Sequence, residues 1–119
     1  MKNGNIRKRL GFALAGWRLA YAQERSLRTH VLFAIAALIA LVVMQPPAIW
    51  WALVAVVSGL VIATELMNTA LERLTDHLHP AIHPSIKAVK DIAAAAVLVA
   101  SCAALVVAVF LFVEFLRGN

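Results

Sequence analysis

Acidic side chains line one face of a predicted helix in the middle of the chain. At about 100° per residue, Glu72 and Asp76 lie within about 20° of Glu65, and Asn68 lies about 60° to one side. Carboxylates this close repel one another unless a cation or a proton neutralises them. Because Glu65 and Asn68 still lie within an apolar run, the face indicates a functional site; a solvated helix end paired with basic side chains is the plainer alternative.

Five of the six acids are expected at the same depth. Glu24 precedes the first apolar run, Glu65, Glu72 and Asp76 close the second, and Asp91 opens the third. Carboxylate oxygens are hard ligands that suit Mg²⁺, which usually takes one or two of them and completes its shell with water and substrate phosphates. The pattern therefore predicts a site for Mg²⁺ and a phosphate compound.

The phosphate contacts are expected from side chains, because no glycine-rich phosphate loop is present. The five glycines form neither GxxxxGK nor GxGxxG. Lys90 and the N-terminal arginines are the basic groups that can bind phosphate. We therefore expect a metal, acids and basic side chains to hold any nucleotide.

The composition predicts the environment of these residues. Of the 119 residues, 63% are hydrophobic and 14% are charged, and the mean hydropathy is +0.86. A soluble domain is only about 45–50% apolar, whereas three membrane crossings of about 20 residues each fit this chain. The apolar share excludes a soluble globular domain and a disordered chain, and a single cysteine, Cys102, excludes a disulfide scaffold. We expect one all-α integral membrane domain over residues 1–119.

Three spans are expected, at about 29–49, 48–76 and 87–116. The first apolar run, 31–44, is short for a crossing, so we extend it through the uncharged Gln45-Pro46-Pro47 turn. Small residues recur at every fourth position of the second and third spans, which lets helices approach closely in lipid and indicates homo-oligomerisation. They are Ala55, Gly59 and Ala63, and Ala96, Ala100 and Ala104.

The N-terminal segment is basic and amphipathic. Residues 1–30 hold seven Lys and Arg against Glu24, a balance of +6, which places the segment in the cytoplasm. Apolar residues at helical spacing predict a helix on the membrane surface over about 5–26, with a continuous extension of the first span as the alternative. No nucleic-acid partner is expected, because aromatic interleaving and known motifs are missing. The apolar stripe is Ile6, Leu10, Ala13, Leu14, Trp17 and Tyr21.

One segment resembles a family signature. The run ELMNTALERLTD, 65–76, is similar to the signature of the bacterial diacylglycerol kinase and undecaprenol kinase family, although Thr75 stands where an aliphatic residue is usual. The resemblance extends to Glu24 in AYAQERSLRTH, to Arg18 and Gly16 before it, to His83, and to AVKDIAAAAVL at 88–98. It covers nearly the whole chain.

The resemblance implies a homotrimer with three membrane helices and a surface helix in each chain. It also implies an active site shared between neighbouring subunits. Glu65 would be the candidate general base, Asn68 would orient Glu65 or the substrate, and Arg18 would belong to the substrate side. These roles come from the resemblance and agree with the polar face on the second span.

The same resemblance implies an ATP site with Mg²⁺ as the cofactor. Glu24 and Glu72 would hold the metal bound to ATP. Lys90 would contact the phosphates, and Asp91 would hold Lys90. Two further residues would lie towards the base and sugar of the nucleotide: Asp76 and His83.

The expected reaction is phosphoryl transfer from ATP to the hydroxyl of a membrane lipid, at the cytoplasmic face of the bacterial inner membrane. Diacylglycerol is the first substrate expected, with phosphatidic acid as product, and undecaprenol is the alternative with the same chemistry. A small transporter is a different class of function, but its acid should lie near the middle of the membrane, where Glu65 does not. A helix bundle without enzymatic activity would leave the polar face unexplained.

Overall fold

The protein is a bundle of four helices. The computed structural model describes residues 5–78 and 83–118, and every element within those ranges is helical, which confirms the all-α prediction. The last three helices are long and apolar enough to cross a membrane. The helices are α1 (Ile6–Gln23), α2 (Arg25–Met44), α3 (Ala48–Leu78) and α4 (Pro84–Gly118).

A break at Glu24 separates α1 from α2. The Glu24 backbone is extended, with φ −108° and ψ 110°, and its N–H donates to the carbonyl of Ala20 over 2.8 Å. The Arg28 guanidinium donates to the carbonyls of Tyr21 (2.8 Å) and Ala22 (3.1 Å), which satisfies acceptors that the end of α1 leaves free. A continuous extension of the first span is therefore wrong, and α1 ends before the expected residue 26.

The turn between α2 and α3 begins at Gln45. Gln45 has a left-handed backbone (φ 47°, ψ 54°), and its N–H donates to the carbonyl of Leu41 over 2.8 Å. Pro46 and Pro47 follow and cannot continue the helix. On the α3 side, the Trp51 indole N–H donates to the carbonyl of Pro46 over 3.3 Å. As a result α2 ends at Met44. It starts at Arg25, so both of its ends lie earlier in the chain than those of the expected span 29–49.

The helices pack mainly through α3, which contacts α4 most extensively and also contacts α2 and α1. The core cluster, Leu41, Val54 and Leu111, takes one residue from each long helix. Ala100 of the α4 ladder is 2% exposed, whereas Gly59 of the α3 ladder is exposed and has open space around its Cα. The long helices thus keep most of their apolar side chains on the outside, as a lipid environment requires.

Candidate active site

Glu65 is the most deeply buried acid in the described part of the chain. Its side chain is only 5% exposed, and its Oε1 lies 2.8 Å from Nδ1 of His30 on α2. Glu65 stands on α3 directly after Thr64, whose hydroxyl donates to the carbonyl of Val61 over 2.9 Å. A buried carboxylate beside an imidazole is an arrangement suited to taking a proton from a substrate.

Asn68 lies one helical turn from Glu72 on the same face of α3. The Asn68 amide nitrogen donates to Oε1 of Glu72 over 3.4 Å. Its carbonyl oxygen Oδ1 is buried, and within the described residues no hydrogen-bond donor reaches it. A buried acceptor without a partner is costly, so Oδ1 is available to a cation or to the hydroxyl of a substrate.

Glu72 is the electrostatic centre of the cluster. The half-buried Glu72 carboxylate interacts with the charges of Glu24, Lys90, Asp76 and Glu65. These residues come from the junction of α1 and α2, from α3 and from α4, so within one chain they lie within electrostatic range of Glu72. The like charges of Glu24 and Glu72 repel, and a bound cation would relieve that repulsion.

The cationic side chains of α4 pair differently from the expectation that Asp91 holds Lys90. Lys90 pairs with Asp76 across the two helices, and Lys87 pairs with Asp91 over 2.7 Å within α4. The reason is geometric, because adjacent helical residues point about 100° apart whereas residues four apart share a face. In this structure Lys90 therefore pairs with Asp76, and the role expected of Asp91 towards Lys90 stays a prediction.

Two predicted site residues lie further out on the surface. His83 precedes α4, and its Nδ1 accepts a hydrogen bond from the backbone N–H of Ser85 over 3.1 Å, so its side chain caps the helix. Arg18 is exposed on α1. Their roles towards the nucleotide and the lipid stay predictions.

Thr75, which departs from the family signature, is buried on α3. Its hydroxyl donates to the carbonyls of Leu71 (2.9 Å) and Glu72 (3.1 Å). Because its polar group is satisfied by the backbone of its own helix, burial of a threonine here costs little. The departure leaves the polar face intact.

A cavity of about 570 Å³ runs along the bundle from His30 towards the opposite end. Its walls come from α2, α3 and α4 and are almost entirely apolar, with two serine hydroxyls on them. Pockets of about 300–1,000 Å³ hold small molecules. Representative lining residues are Ala37, Met44, Ser58, Val61, Ser101 and Leu111.

A metal would need ligands from outside the protein. Across residues 5–78 and 83–118, the His, Cys, Asp and Glu side chains form no group of three that could hold a metal ion. Mg²⁺ does not need such a group, because one or two carboxylates with water and substrate phosphates complete its shell. Glu24, Glu72 and the unpartnered Oδ1 of Asn68 are oxygen donors of this kind.

Sequence reasoning missed His30. It stands at the start of the first apolar run, and Glu65 stands near the end of the second, so antiparallel spans place both at the same depth. That shared depth was the available signal. Arg73 of α3, which donates to Gln23 at the end of α1, was missed as well.

The fold and the site define a small helical membrane protein with a carboxylate cluster at the end of its spans. Comparison with known families gives the class. The model of the prokaryotic diacylglycerol kinases matches residues 11–112. The chain belongs to the prokaryotic diacylglycerol kinase family.

Two curated relatives carry different substrate names. A diacylglycerol kinase of Synechocystis sp. is 39% identical over 97 residues, which are 81% of this chain and 55% of that relative. An undecaprenol kinase of Bacillus subtilis is 33% identical over 89 residues, which are 75% of this chain and 72% of that relative. The chain thus spans little more than half the length of the cyanobacterial protein.

Proposed function

We propose that the protein transfers the γ-phosphoryl group of ATP to the hydroxyl of a membrane lipid. One observation carries the proposal: the buried Glu65, on the same face of α3 as the charged Glu72, contacts His30, and His30 lines an apolar cavity large enough for part of a lipid. A lipid hydroxyl reaches Glu65 from the bilayer, and ATP reaches Glu72 from the aqueous side. The membership of the chain in a family of lipid kinases supports the same reaction.

In this reaction the protein positions the reactants and neutralises charge. Glu65 takes the proton of the lipid hydroxyl as the oxygen attacks the γ-phosphorus, and the bond to the leaving ADP breaks. Asn68 presents an amide beside Glu65 on the same face and orients the hydroxyl. Arg18, an exposed cation on α1, is proposed to contribute to binding of the lipid substrate.

The nucleotide is held by groups around Glu72. Glu24 and Glu72 would hold Mg²⁺, which neutralises phosphate charge when bound. Lys90 contacts the phosphates, and Asp76 holds the Lys90 ammonium in place. Asp76 and His83 would lie towards the base and sugar of the nucleotide, and Asp91, next to Lys90 in the chain, would belong to the same ATP site.

Diacylglycerol is the substrate that we place first, with undecaprenol as the alternative. Both present a primary hydroxyl on an apolar body, and the cavity below His30 offers apolar walls to either. The family description and the relative of higher identity carry the diacylglycerol name, which supports this order. The cavity walls hold few polar groups that could distinguish the two lipids through hydrogen bonds.

The protein is proposed to sit in the bacterial inner membrane with its N-terminus in the cytoplasm. The basic excess of residues 1–30 supports this orientation. The exposed apolar side chains of α1, such as Ile6 and Leu10, support a surface helix with one face in lipid. A homotrimer is proposed through the exposed small residues of α3, where open space at Gly59 admits a neighbouring helix.

The test is a direct assay of the purified protein in mixed micelles. Radiolabelled ATP, Mg²⁺ and either diacylglycerol or undecaprenol are supplied side by side, and the extracted lipid is analysed for label. We expect labelled phosphatidic acid in the diacylglycerol arm, with little ATP consumption when lipid is left out. Label in neither lipid would overturn the proposal, and label only in undecaprenol would reverse the order of substrates.

A further inference from the structure

The contact between His30 and Glu65 is the closest approach of two ionisable groups at the buried end of the site. Nδ1 of His30 lies 2.8 Å from Oε1 of Glu65, and the two side chains are 23% and 5% exposed. Nδ1 itself is buried. At 2.8 Å the two atoms are within hydrogen-bond distance, so the imidazole tautomer with its proton on Nδ1 fits this contact.

The alignment of this contact is incomplete. The ring N–H direction leaves Nδ1 without an aligned hydrogen bond, although the atoms are close enough for one. In enzymes without substrate, catalytic hydrogen bonds are often poorly aligned and tighten in the complex. A small rotation of either side chain brings the two groups into line.

The proposed base needs a neighbour of this kind. A carboxylate as buried as Glu65 has lost most of its contact with water, and a general base has to be held within hydrogen-bond reach of the proton that it takes. A donor at Nδ1 replaces the lost solvation at Oε1. The other oxygen, Oε2, is then left for the lipid hydroxyl.

We propose that His30 is a positioning residue: it donates from Nδ1 to Oε1 of Glu65 and keeps the carboxylate aimed at the substrate. This inference rests on the proposed function, in which Glu65 is the base. His30 acts through Glu65 and carries none of the transferred groups. During transfer the hydroxyl proton moves to Oε2, and the Nδ1–H bond of His30 stays intact.

The other groups around His30 offer its ring no alternative ionisable partner among the cavity-lining residues. The cavity residues that surround His30 from α2, α3 and α4 are apolar, apart from Ser58 and Ser101. On α2 itself, the charged residues nearest to His30 along the chain are Arg25 and Arg28. The Arg28 guanidinium donates to carbonyls at the end of α1. Glu65 is therefore the ionisable partner that His30 faces.

Two substitutions of His30 distinguish the loss of its hydrogen-bond donor from a change in side-chain volume. His30→Leu keeps an apolar volume and removes the donor, whereas His30→Asn places an amide N–H near the position of Nδ1. Because a hydrogen bond to a charged group is strong, we expect His30→Leu to lower kcat about ten- to hundredfold. The KM for ATP should stay within about twofold, since the nucleotide groups around Glu72 are untouched. His30→Asn should keep kcat within about threefold of the wild type.

A loss of kcat at unchanged KM for ATP, with rescue by His30→Asn, is a readout that a packing role alone would not give. Thermal unfolding and gel filtration of both variants in detergent check that they fold.

The outcomes are distinct. A wild-type kcat in His30→Leu would overturn the inference, as would equal losses of kcat in His30→Leu and His30→Asn. Glu65→Gln is measured in parallel to separate this failure from that of the proposed function. An active Glu65→Gln enzyme removes Glu65 as the base, whereas an inactive one with a wild-type His30→Leu removes only the role of His30.

Discussion

The ammonium group of Lys90 on α4 pairs with the carboxylate of Asp76 near the end of α3. Both side chains are partly exposed, at 36% and 62%, so water screens their attraction and the pair adds little stability. Its effect is local, because it holds a cation within electrostatic range of Glu72. A phosphate group arriving at Glu72 therefore finds a positive charge already in place.

Removal of Lys90 should weaken ATP binding. Lys90→Ala loses a charge-assisted contact to phosphate, and we expect the KM for ATP to rise about ten- to hundredfold at saturating lipid. The KM for lipid should change little. Lys87→Ala is the matched control, because Lys87 lies one turn away on α4 and pairs with Asp91. Equal KM values in the two variants would contradict the role of Lys90.

Glu65→Gln should abolish transfer and leave the fold intact. The amide keeps the shape of the side chain but cannot accept the hydroxyl proton, and general-base catalysis is worth about 10²–10⁴-fold. The measurement is kcat at saturating ATP and lipid. Glu114→Gln is the control, since Glu114 is an exposed acid near the other end of α4. If Glu65→Gln turns over within a few-fold of that control, Glu65 is not the base.

Glu24→Gln and Glu72→Gln should act through the metal. Each substitution removes one charged oxygen donor, so we expect the Mg²⁺ concentration for half-maximal activity to rise, and the ATP requirement with it. Apparent affinity for lipid should stay near the wild-type value. A titration of Mg²⁺ at fixed ATP and lipid measures the effect. Curves that superimpose on the wild type would exclude both residues as ligands.

The sequence predicts contacts within one helix better than contacts between helices. The helical period puts Asn68 and Glu72 on one face, and the structure shows the hydrogen bond between them. No period relates His30 to Glu65, because their contact depends on how α2 packs against α3. The break between α1 and α2 is equally hard to predict from the sequence, since the extended residue Glu24 lies between two segments with a helical pattern.

The last prediction concerns which subunit supplies the site. The resemblance implies a site shared between neighbours, yet within one chain Glu72 already interacts with Glu24 and Lys90. This range of interaction within one chain favours a site whose Glu24 and Lys90 come from the same subunit, although closed symmetry would allow reciprocal exchange. We expect a mixture of Glu24→Gln chains and Lys90→Ala chains to be no more active than the better parent.

The experiment is co-refolding of the two variants in mixed micelles, followed by the lipid kinase assay. Each variant refolded alone provides the baseline, and wild type mixed with Glu24→Gln shows that subunits exchange under the same conditions. Activity in the mixture that rises above both parents would show that Glu24 and Lys90 of one site come from different subunits. Each parent lacks a different residue. If neighbouring subunits share a site, mixing therefore produces some sites in which both Glu24 and Lys90 are present. If each site lies within one chain, mixing produces none.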